Sequence, residues 1–464
     1  MTTPPRTARQ IAFDVLEQWR VTGRFAAALL ENAFSQSNDL SAADRGLASE
    51  LTYGVIRRQE TIDAVLRPRL NRPPEQVEPP LWTLLQLGTY QLLFHSKDAQ
   101  HAAIHETVEL TKWLDKSQWT GFSNGILRSV QRDLDNQPAT SAAADSIPIG
   151  TNQFLKLARP LLPDPAVEPA KYIAAGGSLP DWLVENWSNR YDFDEMLRLS
   201  VWFNSAAATW LRINPLRADG DELLARLADA GVEATLETPL QTTDSNTPMI
   251  RLAGTAHVRS LPGFSDGHFT VQDVSAAHAA TLLAPKPGQR VLDLCAAPGT
   301  KSTHLAELMD NQGQVVAVDS HSDRLKLIAP AADRLGLSII EPVLVAESGE
   351  DLPRGPFDAV LVDVPCSNTG VLGKRPEARW RLKRDEPQRL AELQLRLLKQ
   401  AAQTLAPNGR LVYSTCSIEP VENDQVVHAF LEQTPDFELL GQHSHVPGMP
   451  ADGGFQSLLV RQNH

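Results

Sequence analysis

The chain has 464 residues, with 43 Lys and Arg against 56 Asp and Glu and a net charge of −13. At roughly 150 residues per domain this suggests about three domains, each with enough apolar sequence for a core. The acidic balance excludes a uniformly basic nucleic-acid-binding surface. Three cysteines without CxxC spacing argue against a disulfide framework and a zinc site, so no metal is expected.

Residues 1–9 carry two arginines, two prolines and no apolar run, so neither a signal peptide nor a membrane anchor is expected. The longest apolar stretch, residues 81–94, is interrupted by Gln86 and Gln91 and is too short to cross a bilayer. A cytoplasmic monomer without a membrane partner is the expectation. Apolar residues then recur at three-to-four spacing, as in Ile11, Val15, Leu16, Trp19 and in Leu81, Leu84, Leu85, Gly88, Leu92. Nothing strand-like interrupts them, so residues 1–134 read as an all-α domain. Residues 135–177, rich in Ala, Ser and Pro, read as a linker or loosely ordered insertion. Residues 178–269 mix helical runs with short strand candidates such as 209–213 and 249–252, which predicts a small α+β subdomain.

From residue 270 to 464 the pattern sharpens. Apolar runs at 290–294, 315–318, 359–362 and 410–413 alternate with helical stretches, one of them carrying Leu390, Leu393, Leu397, Leu398, Ala401 and Leu405. Continuous apolar runs suit parallel strands buried on both faces, so an α/β Rossmann-like domain is predicted. Ligands bind at the carboxyl ends of such strands. The residues there are Asp293, Asp319, Asp363 and Cys416. One aspartate after a strand is usually a loop cap; four coincident strand ends are more than a core needs.

The first of these turns reads Asp293-Leu-Cys295-Ala296-Ala297-Pro298-Gly299-Thr300-Lys301-Ser302, a small-residue loop entering a helix near Lys301, where a ligand can approach the backbone. It lacks the three-glycine dinucleotide fingerprint and the GxxxxGK[ST] phosphate loop, which disfavours NAD and ATP. Asp319, about two dozen residues on, is placed to take both hydroxyls of a ribose. Together these describe a nucleoside-bearing ligand without a pyrophosphate, such as S-adenosylmethionine. Two further segments, Asp363-Val-Pro365-Cys366-Ser367-Asn368-Thr369-Gly370 and Tyr413-Ser-Thr415-Cys416-Ser417, each end a strand with a thiol. A lone cysteine is usually an inert small hydrophobe, but a pair in the mouth of one sheet points to chemistry. Between them, residues 374–384 hold six basic residues and one acid, Glu377. Of these, Lys374, Arg375, Arg379 and Arg381, with Trp380 among them, form a candidate RNA-binding patch, the alternative being a solvated helix start.

Residues 270–460 resemble the catalytic domain of the RNA cytosine-5 methyltransferase family on three motifs: the loop 293–302, the Asp-x-Pro-Cys segment 363–370 and the Thr-Cys segment Thr415-Cys416. Residues 6–134, with Phe122-Ser-Asn-Gly-Ile-Leu-Arg128, resemble a helical antitermination-factor-like RNA-binding domain. The resemblance spans nearly the whole chain outside the 136–177 segment, and the fusion is characteristic of enzymes acting on small-subunit (16S) rRNA. It implies S-adenosylmethionine bound by Cys295–Lys301, Asp319 and Asp363. It also implies an acid after a third strand, residues 343–346, facing the adenine amine: Glu347 is the candidate, with Glu350 or Asp351 close behind. By the same resemblance Cys416 attacks carbon 6 of a cytosine, Asp363 hydrogen-bonds its N3 and amine edge, and Cys366 removes the carbon 5 proton. The chain departs from the family pattern at Thr300, Ser302, Val364 and Asn368. Two other readings stay open: an inactive RNA-binding assembly factor, and a DNA cytosine-5 methyltransferase with Cys366 as nucleophile.

Overall fold

A computed structural model describes residues 6–462 apart from 38, 207, 242–245, 255–256, 347–348 and 350. The chain divides into two compact units, Met1–Ser205 with Leu372–Arg381, and Ala206–Val371 with Leu382–His464.

In the first unit the chain is helical from Ala8 to Arg132. Its first helix, Ala8–Thr22, starts at Thr7, whose hydroxyl takes the Gln10 amide while the Gln10 side chain returns to the Thr7 amide. This reciprocal cap satisfies two donors that a helix start otherwise leaves unpaired. The helix buries Ile11 and Val15 against Leu29, Leu30 and Ala48. The helix Pro79–Phe94 is buried nearly all round, as its largely apolar sequence requires, with Gln86 and Gln91 buried and hydrogen-bonded.

The segment 135–177 is ordered, which corrects the linker expectation. Strands β1 (Leu134–Ala139), β2 (Ser146–Gly150) and β3 (Gln153–Leu157) form an antiparallel sheet in the order β1-β3-β2. A helix, Pro169–Gly177, follows. Ile147, Phe154, Leu157, Tyr172 and Ile173 are buried, and the Tyr172 hydroxyl donates to the Ser146 carbonyl at 2.8 Å. The Ala, Ser and Pro content concealed short apolar runs that do bury a core.

The second unit begins with a four-stranded antiparallel sheet, β4 (Thr209–Ile213), β5 (Ala234–Gln241), β6 (Asn246–Leu252) and β7 (Phe269–Val271), in the order β5-β6-β4-β7. The helix Gly220–Asp229, capped by Asp219, packs Leu223 and Leu227 on Leu211 and Ile250. The larger sheet holds β8 (Arg290–Leu294), β9 (Gln314–Asp319), β10 (Ile340–Leu344), β11 (Phe357–Asp363), β12 (Leu405–Thr415), β13 (Phe437–His445) and β14 (Gly454–Arg461), in the order β10-β9-β8-β11-β12-β14-β13. Alternate residues face opposite layers. Leu292, Leu294, Val316, Val318, Val360, Val362, Leu411 and Tyr413 pack on Leu397, Leu398, Val427 and Phe430 of one helical layer. Val291, Val315, Ala359, Leu361 and Val412 pack on Ala280, Leu283, Leu305 and Leu335 of the other. Burial on both faces explains why these strands read as continuous apolar runs. The expected all-parallel sheet needs one correction: β14 runs antiparallel to β12, and β13 antiparallel to β14.

The order reverses between β8 and β11, and their carboxyl ends open the crevice in which such sheets bind ligands. A buried ion pair ties the smaller sheet to this crevice. Arg212 on β4 donates to both oxygens of Glu307 at 2.9 and 2.8 Å, and to the Thr300 carbonyl at the start of the helix Thr300–Leu308.

Candidate active site

The loop after β8 is pinned on three sides. Ala296 N–H donates to the Val318 carbonyl, Ser302 Oγ to the buried Asp293 carboxyl at 2.6 Å, and Ala297 N–H to Asp319 Oδ2 at 3.1 Å. Burial raises the Asp293 carboxyl to about 7. Its place is therefore structural, closing the loop from beneath. Cys295 and Gly299 both adopt positive φ, +62° and +100°, and a Cβ at Gly299 would stand 3.0 Å from Ile328. The turn thus needs a residue without a side chain at that point. Asp319, at the end of β9, also accepts the His321 amide at 2.9 Å through its other oxygen. A carboxylate has about four acceptor positions, so both oxygens keep capacity for ribose hydroxyls. Next to it a cavity is lined by Leu294, Cys295, Val318, Asp319, Ser320, His321, Arg324, Val345, Ala346, Gly349, Pro365, Leu393 and Leu397. Apolar walls with the polar groups of Asp319, Ser320, His321 and Arg324 suit a nucleoside. Glu347 and Glu350, the acids expected to face an adenine, lie outside the described residues; Asp351 accepts the Ala346 amide at 2.7 Å.

The two thiols converge because their strands are neighbours. β11 and β12 pair in parallel with Asp363 opposite Ser414, which puts their exits about 4.8 Å apart. Cys366 Sγ and Cys416 Sγ are 3.2 Å apart. Gly370 fixes the contact: its N–H donates to the Cys416 carbonyl at 3.0 Å, and a Cβ there would press within 2.8 Å of that oxygen. Asn368, in the left-handed region at φ +60°, donates to the Cys366 carbonyl at 2.8 Å and accepts from the Cys416 thiol at 3.4 Å. Asn tolerates that conformation better than most residues, so this departure from the family pattern brings an amide to the thiol pair. Asp363 is held by Lys301 at 2.7 Å. Burial works against the Lys301 charge, but Asp363 outweighs it and raises the ammonium above its ordinary value. The hydrogen bond to Cys416 and burial together push the Cys366 thiol well up.

The basic patch behaves differently from its expectation. Arg379 is fully buried and donates to the carbonyls of Arg57, Ser178, Phe203 and Leu372 and to Asn204 Oδ1, at 2.8 to 3.3 Å. It has no surface to offer a nucleic acid, so its assignment as an RNA contact is corrected. Trp380 is half-buried with Nε1–H on the Ile56 carbonyl at 2.7 Å, and Glu377 accepts the Ala26 amide at 3.1 Å. The segment Leu372–Arg381 is thus a structural part of the first unit. Lys374, Arg375 and Arg381 remain exposed, Arg381 lying over the Phe25 ring at 4.5 Å.

Sequence reasoning missed the support behind the thiols: Glu422, Gln394, Tyr413, Ser367 and Ser417, which share one buried network. The single available signal was a run of polar residues following both cysteines, and polarity alone does not distinguish a buried network from a solvated loop.

An open sheet in this order, with a small-residue loop after the first strand and an acid closing the second, defines a Rossmann-like methyltransferase domain. Residues 280–457 match the family described as 16S rRNA methyltransferase RsmB/F, 6–132 the NusB family, and 179–243 the RsmF/B-like ferredoxin-like domain. A probable ribosomal RNA small subunit methyltransferase B of Bacillus subtilis is 36% identical over 93% of this chain and 90% of its own length. The ribosomal RNA small subunit methyltransferase B of Klebsiella pneumoniae strain 342 is 34% identical over 97% and 94%. The crystal structure of PH0851 superposes with TM-score 0.75 at 26% identity, covering 99% of each chain. That of NSun6 from Pyrococcus horikoshii shares the fold at TM-score 0.54 and 18% identity, covering 61% of this chain and 99% of its own. The chain belongs to the RsmB/F family of rRNA methyltransferases. Its helical, ferredoxin-like and methyltransferase parts follow in the order of the three family matches.

Proposed function

We propose that this protein transfers a methyl group from S-adenosylmethionine to carbon 5 of a cytosine in 16S rRNA through a covalent Cys416–cytosine intermediate. The observation that carries the reading is the thiol pair, 3.2 Å apart, at the strand ends that also carry Asp363. Support for the cofactor comes from the cradle at Cys295–Lys301, the free acceptor capacity of Asp319 and the apolar cavity beside it. The NSun6 neighbour was solved with SFG, an S-adenosylmethionine analogue. When bound, S-adenosylmethionine supplies an electrophilic methyl group.

Carbon 5 of cytosine is too weak a nucleophile unaided. The Cys416 thiolate adds to carbon 6, and the displaced electron pair makes carbon 5 enamine-like. Asp363, kept in place by Lys301, hydrogen-bonds the N3 and amine edge where charge builds. Carbon 5 takes the methyl group and then loses its proton, after which the Cys416–carbon 6 bond breaks and the ring recovers its aromaticity. Cys366 receives that proton. The hydrogen bond to Cys416, burial and the charge of Cys416 raise the Cys366 thiol. Bond formation at Cys416 removes the first and last of these, which lowers the thiol, and Cys366 accepts the carbon 5 proton as its thiolate. The Thr-Cys segment Thr415-Cys416 disfavours the DNA-enzyme arrangement with Cys366 attacking. The exposed Lys374, Arg375 and Arg381 suit backbone phosphates of a splayed-out RNA segment.

Bisulfite sequencing of 16S rRNA from cells with and without the gene tests the substrate. One cytosine-5 mark should disappear in the deletion and return when the purified protein and S-adenosylmethionine are added to the unmodified RNA. Persistence of every mark would sink the assignment.

Asp319→Ala should weaken S-adenosylmethionine binding at least about tenfold, since each hydrogen bond to a charged acceptor is worth roughly 1.5–3 kcal/mol. RNA affinity should stay as it was. Equal cofactor affinity by calorimetry would remove the ribose role.

A further inference from the structure

The two reacting loops carry one motif each, and behind both lies the same carboxylate. Cys366 is followed by Ser367 and Cys416 by Ser417. Glu422, which has no exposed surface, accepts Ser417 Oγ at 2.6 Å and Ser367 Oγ on Oε2. Its Oε1 accepts the Ser367 amide at 2.8 Å and Gln394 Nε2 at 3.0 Å. Gln394 Nε2 also donates to the Pro365 carbonyl, one residue before Cys366, at 2.9 Å, and Gln394 Oε1 accepts the Tyr413 hydroxyl at 3.1 Å. The Glu422 carbonyl is in turn held by the Tyr413 hydroxyl at 2.6 Å, at the end of β12. Four donors fill about four acceptor positions, leaving none for solvent or substrate.

We propose that Glu422 is a positioning residue that sets the spacing of the Cys366 and Cys416 thiols, by holding the residue after each cysteine on one buried carboxylate. Its importance for turnover rests on the function proposed above. The spacing itself does not, and is measured without RNA or cofactor. Without Glu422, Gly370 and Asn368 still join the loops, and Ser367 and Ser417 still lie 3.0 Å from each other and 3.3 and 3.1 Å from Thr369 Oγ1, but the pair loses the one carboxylate that also holds the Ser367 amide and Gln394, and the thiols drift apart.

Diamide, a diazene dicarboxamide, takes two electrons and two protons from a pair of thiols, forming one S–S bond and leaving the hydrazine. A pair already 3.2 Å apart needs little motion to reach the S–S length of about 2.05 Å. The full chain treated with diamide should form the Cys366–Cys416 disulfide quickly, read as a linked peptide 2 Da lighter, the mass of the two hydrogens lost (~1 Da each). In Glu422→Ala the rate should fall at least about tenfold, the scale of one lost hydrogen bond to a charged group. Glu422→Gln, which can still accept from Ser367 and Gln394 while its amide donates to the serine hydroxyls, should recover most of it. The alkylation rate of half-buried Cys295 should not change in either variant. A wild-type rate in Glu422→Ala overturns the proposal, and so does a fall accompanied by faster Cys295 alkylation than in the wild type, which marks general loosening. Should Glu422→Ala fail to fold, the Ser367→Ala/Ser417→Ala double variant decides: a slower disulfide supports the proposal and a wild-type rate overturns it. Methyl transfer by the wild-type protein separately reports on the function itself.

Discussion

Incubated with S-adenosylmethionine and 16S rRNA, the Cys366→Ala protein should accumulate a covalent protein–RNA adduct on a denaturing gel, and Cys416→Ala should form none. With Cys366 gone, attack and methylation proceed, because the Cys416 thiolate, Asp363 and Lys301 are all in place. Loss of the carbon 5 proton then waits on water, and removing a positioned base costs about 10²–10⁴-fold in rate. With Cys416 gone, no sulfur bonds carbon 6 and nothing traps the RNA, though cofactor and RNA still bind; the double variant should match it. An adduct from Cys416→Ala that vanishes in Cys366→Ala would reverse the roles and install the DNA-enzyme arrangement. If the wild-type protein methylates no RNA at all, the assembly-factor reading takes over.

Arg379→Ala should be the most damaging single change to the first unit, lowering its stability by about 3–5 kcal/mol, the usual cost of breaking a fully buried charged network. The guanidinium is buried enough to depress its own pKa well below the ordinary value, with Arg57 and Arg58 adding to the effect, and it persists because carbonyl oxygens surround it. Removing it leaves those oxygens without a donor and opens a void. Lys cannot replace it, since one ammonium does not reproduce a planar fork reaching five acceptors. Arg381→Ala, two residues on, loses an exposed stacking contact over Phe25 worth about 0.5–1 kcal/mol. Calorimetric scans of the two variants make the comparison; equal melting behaviour would refute the structural role of Arg379.

That contrast shows what the sequence could and could not convey. A run of arginines states charge, and charge says nothing about which guanidinium finds carbonyls and which finds water. The strands β8, β9, β11 and β12 were legible because burial on both faces leaves few choices but Val, Leu, Ile and Ala, and their ends then pointed to Asp319, Asp363 and Cys416. Strand β13 was not, because Phe437–His445 has three apolar residues followed by Gly, Gln, His and Ser, a pattern an exposed loop can also carry. The strands of 135–177 hid for the opposite reason: Ser146–Gly150 and Gln153–Leu157 are five residues each, set in a surround of Ala, Ser and Pro. The thiol pair was readable as two motifs, but their support by Glu422 was not, since it arises from two loops folding onto one buried side chain that no local pattern marks. The cofactor loop combined both conditions, its small residues being visible in the sequence and its anchors at Val318 and Asp319 only in the fold.

The place of Leu372–Arg381 within the first unit bears on the order in which the protein is made. The ribosome delivers Met1–Ser205 early, yet the arginine that joins the carbonyls of Ser178 and Phe203 comes only after the whole of Ala206–Val371. At roughly 5–20 residues per second that interval is on the order of ten seconds or more. Throughout it the nascent first unit has unpaired carbonyls where Arg379 belongs, and Ala26 lacks the Glu377 acceptor for its amide. The helical part of this chain is therefore completed last at one spot, by a strap synthesised from the middle of the catalytic sequence, and a nascent chain that stops before residue 372 carries a first unit without that strap.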